Sequence, residues 1–181
     1  MGRMAKTFAA LLRGVNVGGR GKLPMPELVK TFESLGHTDV RSYIQSGNVA
    51  FRSTVAEAGR VSTALEQAIA EQFGLETRVL LRTHAELETI AARSPFDAAV
   101  HVVFLACSPE AAAVAALDPD RSPGDRFEVS GSEIYLSLAS GAGRTKLTLD
   151  WLERRLRVAG TQRNWNTVLK LVELTAPPAG G

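Results

Sequence analysis

Short β-rich runs alternate with helix-periodic stretches in the order strand, helix, strand, strand, helix, strand, and this order narrows the possible folds more than any other feature of the chain. Residues 8–12 are an apolar run of strand length ending at Arg13. A Gly-rich stretch at 14–21 interrupts it. Met25, Leu28, Val29, Phe32 and Leu35 then recur at helical spacing, with Pro24 or Pro26 near the first turn and Gly36 placed to end the helix. Residues 40–45 and 49–52 are β-rich. Ser46-Gly47-Asn48 between them signals a hairpin, because Gly and Asn both accept positive φ. Thr54 and Glu57 match a capping box and predict a helix with Val61, Leu65, Ile69 and Phe73 on one face, closed by Gly74. Residues 77–82 supply the last strand of the series.

The series then begins again. Thr83 and Glu86 form a second capping box, opening a connecting helix that Ser94-Pro95 stops. Residues 101–107 are an apolar strand, and Ser108-Pro109-Glu110 opens a helix with Ser as cap. Residues 127–129 and 133–138 form a hairpin around Gly131, with Ile134, Leu136 and Leu138 on one face. After a loop at 140–143, Leu147, Trp151, Leu152 and Leu156 mark a helix. A short strand at 159–162 and a last helix at 164–174 follow. The expected fold class is α+β: two consecutive ferredoxin-like βαββαβ halves, with a connecting helix and a C-terminal helix. The boundaries read as 1–83 for the first half, 84–98 for the connecting helix and loop, 99–176 for the second half with its C-terminal helix, and 177–181 for a flexible tail. The duplication is one of element order; no repeat is visible residue by residue.

Composition excludes several classes. The single cysteine, Cys107, rules out an internal disulfide. No apolar run approaches the ~20 residues of a membrane span. The stretch 1–6 lacks a signal peptide's apolar core, and Lys6 breaks the myristoylation pattern. The cytoplasm is therefore the expected compartment, with no membrane partner. The net charge of +2 is too small to imply nucleic acid, but it is unevenly spread. Residues 1–85 hold 11 basic and 7 acidic side chains, 86–140 hold 3 and 9, and 141–170 hold 7 and 2. Two basic blocks flank an acidic one, a pattern that favours an anionic partner if the basic blocks meet in space.

Catalytic and metal constellations are scarce. His37, His84 and His101 are scattered without partners at ligand spacing, so no metal is expected. Cys107 and His101 lie ~20 Å apart along one expected strand and cannot form a nucleophilic pair; Cys107 reads as a buried structural thiol. The run from Gly14 to Lys22 fails Walker A, because Asn16 stands where its first Gly belongs and Leu23 follows Lys22. It fails Gly-x-Gly-x-x-Gly because Pro24 occupies the third Gly position. What remains is a basic, Gly-rich loop between a strand end and a helix start, where backbone N–H groups favour anions.

Three motifs stand in order: Leu12-Arg13-Gly14-Val15-Asn16-Val17-Gly18-Gly19 followed by Pro24-Met25, then Tyr43-Ile44-Gln45-Ser46-Gly47-Asn48-Val49, and Arg163-Asn164-Trp165-Asn166-Thr167-Val168. Together they resemble the domain-of-unknown-function 1697 family, over about residues 5–174. The resemblance implies a bacterial-type soluble protein of unassigned activity and carries over no catalytic residues. The candidate ligand-binding residues are Arg13, Asn16, Lys22, Gln45, Asn48, Arg144, Lys146, Arg163, Asn166 and Thr167. Local chemistry accounts for part of this set: Ser46-Gly47-Asn48 as a turn, Asn164 or Asn166 as a helix cap, and Trp165 as core.

Three functions are compatible with these residues. The leading expectation is a protein, catalytic or not, that binds a small anionic ligand such as a nucleotide or phosphorylated metabolite, with no cofactor. Arginine and lysine would supply charge, and asparagine and glutamine would orient polar groups. The second is a structural or interaction module whose polar motifs are caps and turns. The third is a nucleic-acid module, disfavoured because Phe51 is the only aromatic where an RNA-binding strand would carry several. The oligomeric state is left open.

Overall fold

The computed structural model describes residues 4–19 and 21–178. Its elements run β1 (Lys6–Leu12), α1 (Met25–Ser34), β2 (Thr38–Tyr43), β3 (Asn48–Ser53), α2 (Ala58–Phe73), β4 (Val79–Thr83), α3 (His84–Ala92), β5 (Val100–Leu105), α4 (Ala111–Ala115), β6 (Arg126–Ser130), β7 (Glu133–Ser137), α5 (Leu149–Leu156), β8 (Gly160–Asn164) and α6 (Trp165–Thr175). The strands form two four-stranded antiparallel sheets, ordered β2-β3-β1-β4 and β6-β7-β5-β8. This is the ferredoxin-like order, twice. The chain divides into two compact units, one running to Glu88 and resuming at Lys170, the other Thr89–Leu169. The chain therefore leaves the first unit within α3 and returns to it within α6. Of the tail expected at 177–181, residues 179–181 lie outside the described residues.

Each unit has a core built from one sheet face and its helices. In the first, Phe8, Ala10 and Leu12 alternate along β1 and pack with Leu28, Phe32, Phe51, Leu65 and Ile69. Phe51 stands at its centre, with ring centroids 5.8 Å from Phe8 and 5.0 Å from Phe32. In the second, Val103 and Leu105 pack with Ile134, Leu136, Leu138, Leu147, Leu152 and Leu156. Burying each such side chain contributes roughly 1.5–3 kcal/mol. The period-2 pattern of β5 and β7 and the 3.6-residue period of α1, α2 and α5 thus deliver one continuous apolar layer per unit.

Some local expectations needed correction. The Thr54–Glu57 capping box does not form: the chain stays extended to Glu57, the N-cap of α2, which makes no side-chain cap bond. Ser53 Oγ instead accepts the Val55 N–H at 3.1 Å, holding the segment outside the helix. Ser108 likewise caps nothing, since α4 begins at Ala111 after Glu110. Cys107 is exposed, not buried, because β5 ends at Leu105 and the thiol falls in the turn beyond it. The Thr83–Glu86 box does form, with the Thr83 N–H donating to Glu86 Oε2 at 2.7 Å and the Glu86 N–H to Thr83 Oγ1 at 3.3 Å.

The halves repeat down to single hydrogen bonds. The Leu12 N–H donates to the Gly47 carbonyl at 2.9 Å, and the Leu105 N–H to the Ser132 carbonyl at 2.8 Å. The Arg13 N–H reaches the Arg78 carbonyl at 2.9 Å, and the Ala106 N–H the Ala159 carbonyl at 2.9 Å. Leu12 is therefore the counterpart of Leu105, and Arg13 of Ala106. Following the register, Phe8 pairs with Thr83 as His101 pairs with Asn164, and Ala9 pairs with Arg82 as Val102 pairs with Arg163.

Candidate functional site

In the first unit the candidate residues collect where β1 ends and β3 and β4 begin. Arg13 is exposed at the end of β1, and its carbonyl accepts the Thr77 hydroxyl at 2.7 Å. Asn16 lies at φ +54°, a left-handed conformation that Asn tolerates better than most residues. Its Nδ2 donates to the Leu23 carbonyl at 3.0 Å and the Gln45 carbonyl at 2.7 Å, while its Oδ1 accepts the Leu23 N–H at 2.8 Å. Asn16 is thus the clasp between the Gly-rich loop and the β2–β3 turn. Asn48 is fully buried, and its Nδ2 bonds the Tyr43 carbonyl at 3.2 Å and Ser46 Oγ at 2.9 Å, closing the four-residue turn. Around these two asparagines stand the exposed side chains of Arg13, Lys22 and Gln45, joined by Arg78.

Because Asn16 holds two segments with three side-chain bonds, Asn16→Ala is expected to cost about 2 kcal/mol, combining lost bonds with the left-handed backbone. Urea denaturation checks this; a loss of less than ~0.5 kcal/mol would show that the clasp is dispensable.

In the second unit the candidates occupy two places. Arg163, Asn166 and Thr167 lie at the junction of β8 and α6. Asn164 is the cap: its Oδ1 accepts the Thr167 N–H at 2.9 Å, and Thr167 itself is buried. Asn166 is exposed and lines a cleft. Arg163 is 8% exposed, and burial lowers its pKa to about 10, so it stays protonated at neutral pH. Its Nη1 donates to Thr161 Oγ1 at 2.7 Å and to the Gln162 carbonyl at 2.9 Å. Its counterpart Arg82 is also 8% exposed and donates Nη1 to the preceding carbonyl, Leu81, at 2.9 Å. An arginine so held at the end of the last strand is a shared feature of both halves, which gives Arg163 a structural explanation the isolated motif did not offer.

Arg144 and Lys146 are exposed in the segment between β7 and α5. That segment is organised by Asp125, a residue no motif marked. Asp125 Oδ2 accepts the hydroxyls of Ser122 at 2.8 Å and Ser140 at 2.6 Å, and Oδ1 accepts the Ser140 N–H at 2.9 Å. Ser122 Oγ in turn accepts the Lys146 N–H at 3.0 Å. Burial alone would raise the Asp125 pKa, but the Ser140 hydroxyl and amide and the hydroxyls of Thr145 and Ser122 together hold it down at about 2. Sequence reasoning also passed over Arg78, which only its bond to Arg13 places at the loop end, and His101, which lines the cleft beside Asn166. Among the described residues, no group of three or more His, Cys, Asp or Glu is arranged to hold a metal ion. No helix among them is long and apolar enough to cross a membrane.

Fold and site together define a duplicated ferredoxin-like protein whose first half carries, between β1 and α1, a basic, Gly-rich loop that the corresponding connection from β5 to α4 lacks. Residues 5–135 match the family described as "Protein of unknown function (DUF1697)", and the chain belongs to that family. The third motif, at 163–168, lies beyond the matched stretch. Two chains of known structure match. One is described as the conserved bacterial protein SP0830 from Streptococcus pneumoniae, 25% identical, with a TM-score of 0.71 over 96% of this chain and 100% of that one. No curated protein matches the chain.

Proposed function

We propose that the chain binds a small anionic ligand, of the nucleotide or phosphorylated-metabolite class, at the end of the first unit where Arg13, Lys22 and Arg78 surround the Gly-rich loop. The supporting observation is an internal control. The same backbone hydrogen bonds close both halves, yet the second half has Ala106 in place of Arg13, Cys107-Ser108-Pro109 in place of the glycines, and the short turn Gly131-Ser132 in place of Ile44–Gly47. The fold therefore requires neither the arginine nor the loop. A Cβ added at Gly14, Gly18 or Gly19 meets nothing within 4 Å, so these glycines serve positive φ and an open backbone, not packing. Backbone of that kind, flanked by cations, is suited to anionic oxygens. Gln45 would orient a neutral polar group, while Asn16 and Asn48 keep the loops in place.

A thermal-shift screen of the full chain against nucleotides, sugar phosphates and short oligonucleotides tests this, because a ligand that binds only the folded form raises its melting temperature. The expected result is a salt-sensitive rise with a phosphorylated small molecule. Lys22→Ala combined with Arg78→Ala should weaken binding about tenfold and leave the unliganded melting temperature within ~2 °C. If the double variant loses stability and no ligand shifts either protein, the loop is a structural element.

A further inference from the structure

The second unit contains an open cavity of about 330 Å³ at the β8–α6 junction, lined by Asp97, His101, Asn164, Trp165 and Asn166 among others. The internal repeat shows what is unusual about it. At the position of His101 the first half has Phe8, 1% exposed and packed in its core. His101 shares its sheet face with the core residues Val103 and Leu105, so this strand position is one where the fold accepts an apolar ring. The histidine there is half-buried, and burial lowers its pKa, favouring the neutral imidazole. Gln162 Nε2 stands 3.3 Å from its Nδ1; with the amide as donor, Nδ1 accepts and Nε2 carries the proton. The position thus differs from that of Phe8 in being half-exposed and open to the cavity, with a ring nitrogen bonded to Gln162.

The lining defines the ligand's charge. The first turn of α6 presents backbone N–H groups, of which Asn164 Oδ1 takes that of Thr167. Asn164 Nδ2, Asn166 and His101 add further donors, which together suit a carboxylate. Among the described residues no lysine or arginine lines the cavity, and Asp97 repels a ligand that is anionic throughout. Asp97 suits an ammonium group instead. We propose that this cleft binds a small zwitterion of the α-amino-acid type, its carboxylate held at the start of α6 by Asn166 and His101 and its ammonium by Asp97. Trp165 offers an apolar ring to the side chain. The inference is independent of the anion-binding reading of the first unit.

Titration calorimetry of the full chain with the common L-amino acids tests it. Saturable binding of at least one, with Kd of about 1 mM or tighter, is expected. The N-acetyl derivative of that amino acid, which lacks the ammonium, should bind at least ~10-fold more weakly, as should Asp97→Asn with the parent ligand. His101→Phe installs the residue the first half uses, so it should keep or raise the melting temperature while weakening binding about tenfold or more. Absence of saturation by every amino acid at about 10 mM overturns the proposal. So does equal binding of the parent and N-acetyl forms, an unchanged affinity in the histidine variant, or saturation by nucleosides in place of amino acids. Should the histidine variant fail to fold, Asp97→Asn, at an exposed residue, decides alone.

Discussion

Gly47→Ala is expected to lower the melting temperature by about 10 °C. Gly47 lies at φ +79°, where a Cβ is strained. That Cβ would also collide with Val15 Cγ2 and come within 2.9 Å of Leu12 Cβ, both belonging to buried core residues. The Gly47 carbonyl accepts the Leu12 N–H, so a shift to relieve the collision also breaks the bond that seats the turn on β1. Strain of about 1–2 kcal/mol plus overpacking of about 1–3 kcal/mol gives a loss of roughly 3 kcal/mol. Gly18→Ala is the control. It has the same sign of φ, at +59°, but open space around it, and should cost only about 1 kcal/mol. Thermal denaturation of the pair separates the two terms; equal losses would mean that φ alone governs both.

Asp125→Ala should destabilise the second unit by about 2–3 kcal/mol, through a buried network and not through packing. The substitution leaves the Ser140 N–H and the hydroxyls of Ser122 and Ser140 without their acceptor, and Ser122 also anchors the Lys146 N–H. The carboxyl's folded pKa of about 2 is below its unfolded value of about 3.9, so its contribution is complete above pH 4 and disappears as pH falls from ~4 through ~2. Wild-type stability should therefore fall by about 2 kcal/mol over that interval from this group. Asp125→Asn keeps the shape and should flatten this part of the pH profile. Denaturant titrations at pH 5 and pH 2.5 measure it; an unchanged acid limb in the Asn variant would assign the loss to other groups.

Elements with strong local chemistry are legible in the amino-acid order alone. The capping box at Thr83, the hairpin around Gly131 and the alternation of Ile134, Leu136 and Leu138 all recur in the fold at the expected places. Readings failed where a local signal competed with tertiary demands. Thr54 has the chemistry of a cap, but α2 begins four residues later. Cys107 follows an apolar run, but the run leaves the sheet before it. The candidate residues divide in the same way. Arg13, Lys22 and Gln45, candidates by residue type, are exposed around one loop end, whereas Asn16 and Asn48 hold that end together.

Period and turn chemistry along the chain set the element order and with it the duplicated βαββαβ architecture, because apolar spacing and capping act within a few residues. The counterpart relation of Arg82 and Arg163, the clasp made by Asn16, the Asp125 network and the histidine standing at the site of Phe8 came only with the tertiary structure. Each depends on which strands pair and in what register. The register of β1 with β4 and of β5 with β8 is a long-range property: it joins residues tens of positions apart, and no turn or cap specifies it.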